Sequence, residues 1–156
     1  MMVTERQITG LMGELYVAKH CTCPKCKIGR FVGMSISNFP CADLICKFCG
    51  QLIQVKTKKV KNKNQKIKKV GGAAWSPFKK RIESGIFYPL FIVKIIKNKP
   101  FSILFISEHT QKEIYDIDNN LYVSRKPLGN HCKRAGWQGF NYNLDLIPEK
   151  LIRILK

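Results

Sequence analysis

Acidic residues are scarce in this chain: 10 Asp and Glu stand against 28 Lys and Arg, a net charge of +18. So large a one-signed field is not that of an ordinary small enzyme; it attracts and concentrates polyanions. Also lacking is any apolar run near the roughly 20 residues of a membrane span. The N-terminal stretch MMVTERQITGLMGELYVAKH has no uninterrupted apolar core and does not read as a secretion signal. The expected location is the cytoplasm, with no membrane association. Forty-five per cent of the 156 residues are hydrophobic, enough for a folded core and against disorder. There are no internal repeats and no obvious second domain, so one domain spanning 1–156 is expected.

The shortage of acid is local as well as global. Leu44 to Ile82 contains no Asp or Glu but twelve Lys and Arg, densest in KTKKVKNKNQKIKK, Lys56 to Lys69. Such a run is either a solvated loop or an arm for phosphates. Charge alone does not choose among DNA, RNA and anionic lipid.

Seven cysteines, an odd number, without a secretion signal argue against a disulfide framework. Cys23-Pro-Lys-Cys26 and Cys46-Lys-Phe-Cys49 form two Cys-x-x-Cys knuckles with 19 residues between them. That spacing suits a closed, tetrahedral zinc site, and Lys25, Lys27 and Lys47 favour the thiolates zinc needs. Cys21 is the alternative to Cys23. Cys41 and Cys132 read as buried thiols.

Helical spacing of Ile8, Leu11, Met12, Leu15, Tyr16 and Ala18 predicts a helix over residues 7–20, with Glu14 on the other face. Lys27 to Phe39 reads as irregular or strand-like. Strands are expected at Ala42–Ile45, Leu52–Thr57, Phe87–Lys97 and Phe101–Ile106, with turns at Cys46–Gly50 and Asn98–Pro100. The lysine run reads as a loop or extended arm. Trp75–Glu83 reads as a short helix begun by Pro77. Glu113–Val123 has no clear pattern, and LDLIPEKLIRILK reads as a last strand or short helix. Helix, strands, helix, strands favour an α/β sandwich with a mixed sheet.

A turn at Cys46–Cys49 sets Asp43 across from about Ile53 and Gln54. Because strand side chains alternate, Gln54 and Lys56 share one face and can converge with Asp43. A hard cation such as magnesium takes oxygen ligands from carboxylates, waters and phosphate. A nearby lysine can orient or deprotonate water, or neutralise charge on phosphorus. These are the parts of phosphodiester hydrolysis. Gln54 offers an amide oxygen but no charge, and Glu14 is the best further carboxylate.

The order Cys23-Pro-x-Cys26, Ala42-Asp43, Cys46-x-x-Cys49, Gln54-Val-Lys56-Thr-Lys58-Lys59 resembles the Dpn-one-like methyl-directed restriction endonucleases. So do GGAAWSPFKKR (Gly71–Arg81), Arg125-Lys-Pro-Leu128, the block Arg134-Ala-Gly-Trp-Gln-Gly139 with Asn141 and Leu144, and Ile147-Pro148 running into Arg153-Ile154. The resemblance covers residues 8–156. It implies a PD-(D/E)xK nuclease-like mixed sheet flanked by helices, with an inserted four-cysteine zinc site. It implies cleavage of double-stranded DNA at a short site with methylated adenine. The metal aspartate falls on Asp43, the second acid on Gln54, the lysine on Lys56, and the zinc ligands on Cys23, Cys26, Cys46 and Cys49. The implied cofactors are structural Zn2+ and catalytic Mg2+, with no small-molecule cofactor. The family's C-terminal winged-helix domain has no counterpart before Lys156.

Phosphate contacts are expected from Lys58, Lys59, Lys61, Arg125, Lys126, Lys133 and Arg134. The protein is expected to act as a monomer or a transient dimer on DNA. Trp75 and Trp137 read as core aromatics rather than base-stacking residues, and His131 as exposed. Two other functions stay open: a DNA-binding protein on the same fold that has lost cleavage, and a zinc-ribbon nucleic-acid-binding module. Only the second of these leaves Asp43 and Lys56 free to diverge.

Overall fold

The computed structural model describes residues 2–34, 41–72, 74–117, 122–126 and 138–156. Its first element is helix α1, Glu5–His20. Thr4 starts it through a capping box: Gln7 N–H donates to Thr4 Oγ1 (3.3 Å) while Thr4 N–H donates to Gln7 Oε1 (2.8 Å). Strands β1 (Phe31–Gly33), β2 (Leu44–Cys46) and β3 (Leu52–Lys59) follow, then β4 (Lys69–Gly72) and helix α2 (Trp75–Glu83). Next come β5 (Leu90–Ile96), β6 (Lys99–Ile106), helix α3 (Glu108–Ile117), β7 (Val123–Arg125), β8 (Phe140–Asn143) and β9 (Arg153–Ile154). The class is mixed α/β, as expected.

Six strands form one sheet in the order β1-β2-β3-β5-β6-β9. The β3–β5 pair is parallel and the other pairs are antiparallel, so the sheet is mixed. A parallel neighbour needs a crossover connection, and β4 and α2 lie in that connection. The chain turns between β5 and β6 at Lys97 and Asn98, both with positive φ, so that Ile96 pairs Lys99. A two-residue loop with both residues left-handed matches the twist of a hairpin. The turn is thus one residue earlier than the Asn98–Pro100 turn read from sequence.

Each face of this sheet has its own core. Ile53, Val55, Phe91, Val93 and Phe105 pack with Val17 of α1 and with Cys23 and Cys46. On the other core, Leu90 and Ile92 meet Phe78 and Ile82 of α2 and Val70, Val123, Phe140 and Tyr142 of a second sheet, ordered β4-β8-β7.

Three expectations need correction. First, of the helical set only Met12, Tyr16 and Ala18 pack on the core; Ile8, Leu11 and Leu15 are 49%, 55% and 61% exposed, and α1 buries Gly13 and Val17. A Cβ on Gly13 would stand 2.0 Å from Thr57 Cγ2, so only the glycine face lets the helix axis come this close to β3. Second, the lysine run is not all arm: β3 extends through Lys59 and its end forms β4. β4 is a strand because Val70 is buried and pairs with Tyr142 of β8. Third, the unclear stretch from Glu113 splits into the end of α3 and strand β7, and β8 went unread. Their ladders join segments far apart in sequence, which no local pattern announces.

Candidate active site

At one end of the β2–β3 hairpin are the cysteines. Cys23, Cys26, Cys46 and Cys49 place their sulfurs within 4.8 Å of one another. Cys23 Sγ is 3.6 Å from Cys49 Sγ, and Cys26 Sγ is 3.7 Å from Cys46 Sγ. Four thiolates about 2.3 Å from a tetrahedral zinc would stand about 3.8 Å apart, so this set fits the ion. The two knuckles are built alike. Lys27 N–H donates to Cys23 O (2.9 Å) and Gly50 N–H to Cys46 O (3.0 Å), and both donors have positive φ. Gly29 N–H donates to Cys26 Sγ (3.2 Å), and a Cβ on Gly29 would stand 2.2 Å from Cys46 Sγ. Cys21 is buried outside the four-sulfur group, which resolves the choice between it and Cys23. Cys41 is only partly buried, and Cys132 lies outside the described residues.

Beyond the other end of β2, the hairpin presents Asp43. Leu44 pairs with Ile53, and Asp43 N–H donates to Ile53 O (2.9 Å), so Asp43 sits opposite Gln54 as the alternation requires. Where a longer β2 would have offered a carbonyl to Val55, the side chain takes over: Val55 N–H donates to Asp43 Oδ2 (2.7 Å). β3 runs on alone along this edge with Gln54 and half-buried Lys56.

Glu14 joins them from α1, at the residue after Gly13. Burial raises the Glu14 pKa, the Asp43 charge raises it further, and the Lys56 charge pulls it back. Burial likewise raises Asp43, against the Val55 N–H and the Lys56 charge. Two carboxylates and one ammonium therefore share a field in a partly dehydrated place. That combination can hold a cation with oxygen ligands or steer a proton.

Gln54 is 5% exposed. It faces the second sheet, where Tyr142 Oη donates to Gln54 Oε1 (2.8 Å). Tyr142 escaped the sequence reading; the alternation in Phe140-Asn-Tyr-Asn143 is the signal that marks its strand.

The basic residues fall into groups. Lys58 and Lys61 are exposed, while Lys59 is ion-paired with Glu5 and Lys66 with Glu149. Lys58, Lys66, Lys68 and Lys69 line a cavity of about 750 Å3 together with Asp145. Arg125 and Lys126 are exposed at the end of β7, and the Arg125 guanidinium lies 5.6 Å from the Trp75 ring centroid. Trp75 is half-buried, its ring 5.8 Å from both Phe78 and Phe140. Lys133, Arg134, His131 and Trp137 lie outside the described residues. Among the described residues no helix is long and apolar enough to cross a membrane.

A mixed α/β fold, four clustered thiols and Asp43 facing Gln54 on one hairpin, in a strongly basic chain, suit a polyanionic partner. The chain matches the Dam-replacing family, DpnI, over residues 2–156, and it belongs to that family. The membership points to a restriction-type function with DNA as the partner.

Proposed function

We propose that this chain is a metal-dependent endonuclease of PD-(D/E)xK type that cleaves double-stranded DNA at a short adenine-methylated site in the cytoplasm. One nuclease domain spans 1–156, and the protein works as a monomer or a transient dimer on DNA. The observation that carries the reading is Asp43, set opposite Gln54 by the hairpin register and hydrogen-bonded to Val55 N–H, with Lys56 two residues on along the same strand.

In this reading Cys23, Cys26, Cys46 and Cys49 hold structural zinc, which pins the hairpin and its register. Asp43 and Glu14 hold magnesium, with the Gln54 amide oxygen as a neutral ligand. Bound magnesium supplies Lewis-acid stabilisation of charge on the phosphoryl group. Lys56 orients the attacking water or takes its proton, and its ammonium form neutralises the negative charge that builds up. Lys58, Lys61, Arg125, Lys126, Lys133 and Arg134 hold the DNA backbone. Lys59 joins them once Glu5 releases it.

The test is a digest of adenine-methylated and unmethylated plasmid, in magnesium and in manganese, with Asp43→Ala alongside. Discrete fragments from methylated DNA alone, absent with the variant, are expected. Fragments from both DNAs would leave the nuclease and remove the methyl dependence. Equal cutting by Asp43→Ala would remove the active site.

A second reading has one observation in its favour: Gln54 brings no charge and is tied to Tyr142. The protein would then hold DNA without cutting it, and binding without cleavage in either metal would establish that. The zinc-ribbon module without nuclease ancestry is set aside, because the family match runs over residues 2–156.

A further inference from the structure

Tyr142 is fully buried in the middle strand of the β4-β8-β7 sheet, paired across to Val70 and Val123. Its ring is held by aromatic neighbours: Phe140 at 5.1 Å, Tyr122 at 5.5 Å and Phe78 edge-on at 5.8 Å. One polar atom in this apolar packing needs a partner, the hydroxyl, and it donates to Gln54 Oε1 across 88 residues of sequence. The hydroxyl is therefore a donor whose proton must be accepted.

That requirement acts on Gln54. A side-chain amide has two unlike ends, an oxygen that accepts and an NH2 that donates, and half a turn exchanges them. Turning Gln54 over would face NH2 to the phenol and strand the phenol proton among Phe78, Phe140 and Tyr122. The oxygen end is thereby held on the tyrosine side, where one lone pair accepts from the phenol and the second is the one left for a cation. A glutamate at this position would need no such device, since its two oxygens are equivalent.

We infer that Tyr142 is a positioning residue, which holds the Gln54 amide in one orientation beside Asp43 and Lys56. The inference rests on the nuclease reading above, in which Gln54 serves the cation site. It explains how a neutral amide can stand where an acid is expected: orientation, which a carboxylate has by symmetry, comes here from a second sheet.

The experiment compares Tyr142→Phe in two backgrounds, the natural chain and Gln54→Glu, at pH 8 with zinc-loaded protein. In the natural chain the amide loses its fixed end and spreads over both flips and several χ2 wells. The cleavage rate at saturating DNA should fall about fivefold as the competent fraction drops. In the Gln54→Glu background the same change should alter the rate less than about twofold. Tm should fall in both backgrounds, because both lose the same buried hydroxyl. Mn2+ affinity, measured by calorimetry, is read in the same four proteins and should repeat the pattern.

Equal losses in the two backgrounds would overturn the positioning role and leave Tyr142 a packing residue. No loss in the natural chain would overturn it also. Asp43→Ala separates the two levels: unchanged Mn2+ binding and cleavage in that variant would sink the nuclease reading itself. A dead Asp43→Ala with equal Tyr142→Phe losses would sink only the inference about Tyr142.

Discussion

Gly13 of α1 meets Thr57 of β3 so closely that a Cβ would stand 2.0 Å from Thr57 Cγ2. Alanine gains about 1 kcal/mol of helix propensity over glycine, but overpacking costs about 1–3 kcal/mol. Gly13→Ala should therefore lower the denaturant midpoint and, by displacing Glu14, slow cleavage. Adding Thr57→Ser removes the offending methyl and should restore both. A stabilised single variant would show that the helix is not seated on β3 in this way.

Asp43 has two tasks that substitution can separate. Its Oδ2 accepts from Val55 N–H, and its charge is the candidate cation ligand. Asp43→Asn keeps an acceptor and should fold normally while cleavage is lost. Asp43→Ala strands the amide and should cost a further 1–3 kcal/mol or so, read by urea denaturation. Lys56→Ala should abolish cleavage with folding and DNA binding intact.

Protonation of the acid pair has a definite sign. Folding raises the pKa of Asp43 and of Glu14, mainly through burial. Each group then favours the fold only while protonated; that contribution is complete below its unfolded-state pKa and is lost as pH rises through the folded one. Asp43→Asn should equal the natural chain in stability in acid and exceed it near neutral pH. The Glu14 carboxyl, followed by carbon NMR, should titrate at lower pH in Asp43→Asn, because the Asp43 charge is gone. A Glu14 titration unmoved by that change would place the two carboxyls apart.

Zinc should measure near one per chain by elemental analysis. A metal held by four thiolates is coupled to folding, so a strong chelator or Cys46→Ser should unfold the hairpin end and lower Tm. A metal-free protein with unchanged Tm would refute the clamp.

DNA binding should weaken steeply with salt, through release of counterions from the phosphates contacted. Replacing Lys58, Lys61, Arg125 or Lys126 by Gln should each reduce the slope of log K against log salt by about one. Lys59→Gln should reduce it less, since Glu5 already engages that ammonium.

Much of the hairpin was legible from sequence because its determinants are local. Two Cys-x-x-Cys knuckles mark the clamp, and the turn between Cys46 and Gly50 sets the register that brings Asp43 opposite Gln54. Period-2 alternation then assigns Gln54 and Lys56 to one face. Helix α2 runs over Trp75–Glu83 as its composition suggests. The face of α1 was only half legible: Met12, Tyr16 and Ala18 of the helical set pack against the core, but Ile8, Leu11 and Leu15 are exposed and Gly13 makes the closest approach to β3. Hydrophobic periodicity reports apolar side chains and is silent where the contact is made by having none.

The amino-acid order alone thus determined the basic field, the two Cys-x-x-Cys knuckles and the facing of Asp43 with Gln54. Tertiary structure alone decided the β4-β8-β7 sheet, the approach of Glu14 to Asp43 and the hold of Tyr142 on Gln54. The reason is physical: turns, caps and alternation act over a few residues. Strand partners and buried hydrogen bonds are chosen by whichever distant segments close the core together.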